Sequence, residues 1–347
     1  MAKLNIFETD ISSLPIMENV TRQQFDETIR PAGKPVILRG LVKDWPAVQS
    51  GQKSPDEIGN YLKQMDNQKP AMTFVAPPEV KGRYFYAPDM RGFNFEKRQI
   101  PLSATIDKLL EQKNTPDPLS IYAGATSASD LLPGFGVANP MPLVSDEVSP
   151  LVWIGNSARI APHYDTSENI ACAVAGTRKF LVFPPHQIDN LYVGPLEHTV
   201  AGQPVSLVDP QHFDAEAYPK FESAMREARV AHLKPGDAIY LPALWWHYVE
   251  SAGPLNVLVN YWWNSVDKGP PMSALALSML ILRELPPAER AAWKHIFDHY
   301  IFKEEAQNVV SHLPEHAQGV LGKSTPQRDS TIKNFVGAQL QKLFSEN

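Results

Sequence analysis

The spacing of apolar residues changes character twice along the chain. Up to about residue 118, short helical and strand-like stretches alternate. "KPVILRG" (34–40) predicts a strand, and "DWPA" (44–47) the turn that follows it. Thr21 with Gln24, and Ser54-Pro55-Asp56-Glu57, match the capping box that opens a helix, the second with proline at the first helical position. A helix is predicted over 103–112 and a strand at "LSIYAGA" (119–125).

From about 143 to 265 the pattern turns to short β-rich runs separated by turn signals: "PLVWIG", "NIACAVAG", "RKFLVFPP", "ARVAHLKPGD", "AIYLPALWWH" and "LNVLVNYWW". Short strands at this spacing predict an antiparallel sandwich or barrel. The stretch 186–229 interrupts it, with "DAEAYPKFESAMREA" reading partly as helix. The helical period returns after 270. "MSALALSMLILREL" is apolar over most of its circumference, and such a helix must be covered. Pro286-Pro287 breaks it, "AERAAWKHIFDHYIFKE" follows, and a more polar tail from Ser311 ends in one weak helix. The expected fold is mainly β with added helices, in three regions. A mixed α/β segment (1–118) packs on a β barrel (119–268, with the insert at about 186–229), and a helical region (269–347) follows.

Composition narrows the class. Hydrophobic residues make up 43% of the 347 and charged residues 20%, enough for a sizeable core. A net charge of −6 gives no general attraction to nucleic acid or anionic lipid, and neither partner is expected. The longest apolar run, "ALALSMLIL" (274–282), is too short to cross a bilayer, and "MAKLNIFETD" lacks the apolar stretch of a signal peptide. The single cysteine, Cys172, excludes an intramolecular disulfide and a Cys-rich zinc site; it reads as a small buried hydrophobe. A reduced, cytoplasmic setting is the expectation.

One short stretch carries candidate chemistry. "HYDTSEN" (163–169) sets His163 and Asp165 two apart, so that on a strand both point to one face. Chance is a serious rival: 10 histidines and 38 acids in 347 residues give about one such triplet. A second triplet exists at His212-Phe213-Asp214, where no β pattern flanks it and Asp214 reads as a helix N-cap. For the first, a distant histidine completes a two-histidine, one-carboxylate set, and His247 in "AIYLPALWWHYVES" is the best placed. The plainer alternative makes His163 a loop residue and His247 a satisfied core histidine. His295 and His299, four apart on a helix, have no third ligand nearby and read as surface or interface residues.

Together, "WIGNSARIAPHYDTSENIACAVAGTRKFLVFPP", "LKPGDAIYLPALWWHYVES", "NVLVNYWW" and the early "KPVILRGLVKDWPA" resemble the JmjC-type branch of the cupin superfamily. They are most similar to bacterial cupin-like proteins related to the asparaginyl hydroxylase that inhibits hypoxia-inducible factor, over about residues 15–265. The resemblance implies a double-stranded β-helix (cupin/jelly-roll) with iron(II) held by His163, Asp165 and His247, and 2-oxoglutarate as cosubstrate. It implies that Arg178 anchors the distal carboxylate, where the related hydroxylase has lysine. If the strand register slips by one, Lys179 takes that place. Tyr122 matches a tyrosine that hydrogen-bonds the same carboxylate, and Asn169 and Asn260 match amides flanking the metal-chelating end. Ile160 departs from the family, standing where the related hydroxylase has a threonine, so one hydrogen bond to the cosubstrate is missing.

The expectation is an iron(II)- and 2-oxoglutarate-dependent oxygenase, a hydroxylase of a protein side chain or a small molecule. Two other classes stay open: a cupin metalloenzyme that works without 2-oxoglutarate, and a non-catalytic binding protein. The loop "KGRYFYAPDMRGFNFEKR" (81–98) lines a substrate groove or packs as a plain loop. Two apolar helices after the barrel suit a homodimer, which the resemblance also implies.

Overall fold

The computed structural model describes residues 11–200, 202–264, 269–305 and 309–345; the amino-terminal stretch read for a signal peptide lies outside them. The chain divides into two compact units, Met1–Asp267 and Lys268–Asn347. The strands of the first unit are β1 (Ile16–Glu18), β2 (Val36–Arg39), β3 (Pro70–Ala76), β4 (Arg83–Tyr84), β5 (Glu96–Pro101) and β6 (Ser120–Ser127). They continue with β7 (Pro150–Gly155), β8 (Ala158–His163), β9 (Glu168–Phe183), β10 (Arg229–Leu233), β11 (Ala238–Leu241) and β12 (Trp246–Trp263). One hydrogen-bonded path runs β1-β2-β11-β9-β12-β7-β6-β3-β5, while β10 joins β9, β8 joins β12 and β4 joins β8.

The branching has a physical cause in the two longest strands. The first half of β9 pairs with β11 and its second half with β10; the first half of β12 pairs with β8 and its second half with β7. β9 and β12 pair with each other along most of their length, with register shifts between Ala252 and Val257 and between Val257 and Leu258. Both strands therefore bend together from one layer into the other. Gly176 sits at the bend with φ +73°, and a Cβ there would lie 1.9 Å from Asn256 Oδ1. Only glycine fits that approach. The sequence pattern had suggested two strands on either side of Gly176; β9 runs through it as one strand, while its ladder with β12 is interrupted there by a bulge.

Strand alternation then sorts side chains between faces. Ile170, Cys172 and Val174 of β9, with Val257, Val259 and Tyr261 of β12, join the core cluster that includes Phe25, Ile58, Leu62, Leu102 and Ile106. Those come from the helical segments of the first unit: α1 (Arg22–Gln24), running into a π-turn at Phe25–Ile29, then α2 (Pro46–Lys53), α3 (Pro55–Met65) and α4 (Leu102–Glu111). Thr21 and Ser54 cap α1 and α3 through Gln24 N and Glu57 N, as their sequences predicted. The helix α2 starts at Pro46, inside what read as a turn. Two short helices, α5 (Ala128–Leu131) and α6 (Phe135–Ala138), follow β6. On the other layer Leu181, Phe183, Trp246 and Tyr248 pack with Leu191, Val208 and Phe221 of the insert. Among its described residues the insert holds one α-helix, α7 (Phe221–Glu227). Asp214 does not open it; its Oδ1 accepts from Glu216 N and Ala217 N in a turn, and α7 begins seven residues later.

The second unit contains α8 (Pro271–Leu282), α9 (Pro287–Tyr300) and α10 (Pro326–Ser345), none with a buried residue among those described. No described helix is long and apolar enough to cross a membrane.

Candidate metal centre

Inward-facing positions of both layers line a cavity of about 730 Å³. His163, at the end of β8, and His247, near the start of β12, are Cα partners across the antiparallel pair. The antiparallel pairing explains why residues 84 positions apart in the chain come together. Asp165 arrives differently from the sequence expectation. It lies beyond the end of β8, in the link to β9, so the pleat does not align it with His163. The link is instead tied to the turn before β12, where Leu244 N donates to Asp165 O at 2.8 Å. Leu244 adopts φ +68°, a left-handed conformation uncommon for a bulky residue.

One ligand atom from each of His163, Asp165 and His247 lies within 4.8 Å of the others. Each histidine places Nδ1 2.9 Å from the carbonyl two residues before it, Ala161 O and Trp245 O. With Nδ1–H donating there, Nε2 keeps its lone pair for a metal. Burial and the neighbouring His163 hold His247 down, to about 4, so its ring is neutral near pH 7. Asp165 Oδ2 lies 3.7 Å from His247 Nε2 and accepts from Asn169 Nδ2 at 3.3 Å. Two imidazoles and a carboxylate form a donor set suited to a divalent iron-type ion. The second triplet has no such role: His212 Nδ1 lies 3.6 Å from Asp209, and His295 and His299 belong to no ligand group among the described residues.

The remaining residues singled out in the sequence meet in the same cavity: Tyr122 from β6, Asn169 and Arg178 from β9, and Asn260 from β12. Arg178 is only 4% exposed, forms no ion pair among the described residues, and its Nε has no hydrogen-bond partner. Burial pulls its pKa down to about 10, which leaves it charged at neutral pH. Lys179 points to the other face, opposite His232 of β10. Asn169 and Asn260 turn towards each other, with Asn260 Nδ2 donating to Asn169 Oδ1 at 3.4 Å. Ile160 also lines the cavity, beside Tyr84 on the neighbouring β4. Cys172 is buried on the opposite face, its thiol pushed well up by burial.

Sequence reading passed over Trp153, which lines the cavity. The signal for Trp153 was present: Val152 and Ile154 face the helix-side core, so Trp153 faces inward. The 81–98 segment contributes to the cavity wall and also packs against itself. Tyr84 and Lys97 line the cavity, while Phe93 and Phe95 stack against each other with centroids 5.2 Å apart.

A two-layered cupin barrel whose interior presents two histidines and a carboxylate defines the class of protein. The chain belongs to the cupin-like domain family, which it matches over residues 22–269. It is 28% identical to Jumonji C domain-containing protein 5 of Drosophila melanogaster over 71% of this chain and 59% of that protein. It is 25% identical to human bifunctional peptidase and (3S)-lysyl hydroxylase JMJD7 over 63% of this chain and 74% of that one. To tRNA wybutosine-synthesizing protein 5 of Gallus gallus it is 23% identical over 69% and 73% of the two lengths. The chain thus spans little more than half the length of the Drosophila relative.

Proposed function

We propose that this protein is an iron(II)- and 2-oxoglutarate-dependent oxygenase, acting as a hydroxylase on a protein side chain or a small molecule. The observation that carries the reading is Arg178: a buried cation without a protein counter-ion among the described residues, in the cavity that holds the ligand trio. An unpaired buried charge costs several kcal/mol, so the site calls for an anionic ligand. His163, Asp165 and His247 would hold iron(II), and Arg178 the distal carboxylate of the keto acid. Bound together, iron and 2-oxoglutarate supply oxygen activation coupled to decarboxylation of the keto acid. The chain's own part is positional. Arg178 would grip a carboxylate, the Tyr122 hydroxyl would donate beside it, and Asn169 holds Asp165 in place. The aromatic walls at Phe74, Trp153 and Trp262 keep bulk water from the reacting centre.

The relatives support hydroxylation without fixing the substrate: one is named a lysyl hydroxylase, another a tRNA-modifying protein. The narrower kinship with the asparaginyl hydroxylase group rests on the motifs of the sequence. A cytoplasmic location accords with the single buried cysteine.

The test is thermal unfolding of metal-loaded protein with and without 2-oxoglutarate. Ligand binding to the native state raises the melting temperature. No shift at millimolar keto acid would favour a cupin metalloenzyme that works without it. Turnover of labelled 2-oxoglutarate, stimulated by cell extract, then separates an enzyme from a binding module and gives an assay for the substrate.

A further inference from the structure

Behind Asp165 runs a line of side-chain hydrogen bonds that starts at an indole. Trp153 Nε1 donates to Asn260 Oδ1 at 2.6 Å, Asn260 Nδ2 to Asn169 Oδ1 at 3.4 Å, and Asn169 Nδ2 to Asp165 Oδ2 at 3.3 Å. The direction of this line is forced at both ends. An indole nitrogen only donates, so the oxygen of Asn260 must face it and its NH₂ must face Asn169. An ionised carboxylate only accepts, so the NH₂ of Asn169 must face Asp165. An amide inverted anywhere would set two donors or two acceptors against each other. Asn169 and Asn260 are both nearly inaccessible to solvent, so water is a poor substitute partner.

We infer that Trp153 is a positioning residue for the metal ligand Asp165, acting through Asn260 and Asn169. It fixes which way both amides point, and so keeps a donor on Asp165 Oδ2. That bond restrains carboxylate rotation. This inference rests on the functional reading only in taking Asp165 as a metal ligand.

Cobalt(II) titration of the full-length protein tests it, with visible absorption of the bound ion as a second readout. Trp153→Phe keeps an aromatic ring where the indole packs 5.8 Å from both Tyr122 and Trp262, and removes the N–H together with the five-membered ring that carries it. It should weaken cobalt binding roughly tenfold or more, the usual cost of losing an outer partner of a metal ligand, and alter the spectrum. The unloaded protein should melt much as wild type does. Asn169→Leu should weaken cobalt as well, and adding Trp153→Phe to it should cost nothing further, because the line is already cut. If Trp153→Phe does not fold, Asn260→Leu cuts the same line at its next link with the same expected loss. Unchanged affinity and spectrum in the single variant, or a full additional loss in the double variant, overturns the inference alone. A wild-type protein that takes up no cobalt overturns the inference and the functional reading together.

Discussion

His163 and His247 face each other across β8 and β12 with ring centroids 4.3 Å apart, each bonded through Nδ1 to the carbonyl two residues earlier. Burial and the neighbouring His163 ring both oppose protonation of His247, so it stays available as a metal donor. His163→Ala and Asp165→Ala should each abolish stoichiometric iron(II) binding near pH 7 and leave the far-UV circular dichroism intact. His212→Ala should leave binding unchanged. Metal content after gel filtration decides it; dependence on His212 instead of His163 would mean the site is elsewhere.

Arg178 gives opposite effects in the empty and the ligand-bound protein. Arg178→Met removes an unpaired buried cation, so the ligand-free protein should be as stable as wild type or more so. The same variant should need at least tenfold more 2-oxoglutarate for half-saturation, because each charge-assisted bond contributes about 1.5–3 kcal/mol. Lys179→Ala should do neither. Calorimetric titration alongside thermal melts checks both signs, and damage from Lys179→Ala alone would refute the assignment of the anchor.

Ile160 brings an aliphatic group to the cavity wall near the carboxylate anchor. Ile160→Thr adds a hydroxyl there and should lower the 2-oxoglutarate concentration needed for half-saturation. Weaker binding in that variant would indicate that the keto acid packs against the isoleucine and not beside a polar group.

At the bend of β9, Gly176→Ala would drive a methyl group into Asn256, which is fully buried, and would force an L side chain to a positive φ. We expect a loss of about 2–4 kcal/mol in urea unfolding, near the upper end for point substitutions. A change under ~0.5 kcal/mol would show that the bend relaxes freely.

The second unit is proposed to form a homodimer. Leu275, Leu280 and Ile281 of α8, and Trp293 and Ile296 of α9, stand exposed, with Leu280 at 62%. Light scattering should give about 77 kDa, twice the 38.7 kDa chain, at micromolar concentration. Leu280→Arg with Ile281→Arg should halve that mass. A wild-type mass of 38.7 kDa would end the proposal.

Much of the barrel was legible because burial enforces period two, and strands such as "PLVWIG" coincide with β7 residue for residue. The limits were those of local reading. Gly176 and the Gly253-Pro254 pair look like turns, yet β9 and β12 bend without ending, because each bend is matched by its neighbour. His163, Asp165 and His247 were identifiable only as a set, through motif resemblance. Their convergence depends on a cross-strand pair and on the bond from Leu244 N to Asp165 O, neither of which leaves a mark at short range. Trp153 was missed because a tryptophan within a β run reads first as core.

Since β9 and β12 each traverse both layers, each delivers one polar group from either side of its bend: Asn169 and Arg178 on one strand, Asn260 and His247 on the other. The gauge between Arg178 and the histidine pair is therefore set by backbone, like the separation of two rails on a common sleeper. Exchanging a side chain changes grip at one end without altering that span. A keto acid longer or shorter than the gauge would be met only by re-bending both strands at once. The rim at β5 and the insert carries no such obligation. Under the proposed function, diversity of substrate has room to accumulate at the rim while the span from Arg178 to the histidine pair stays fixed.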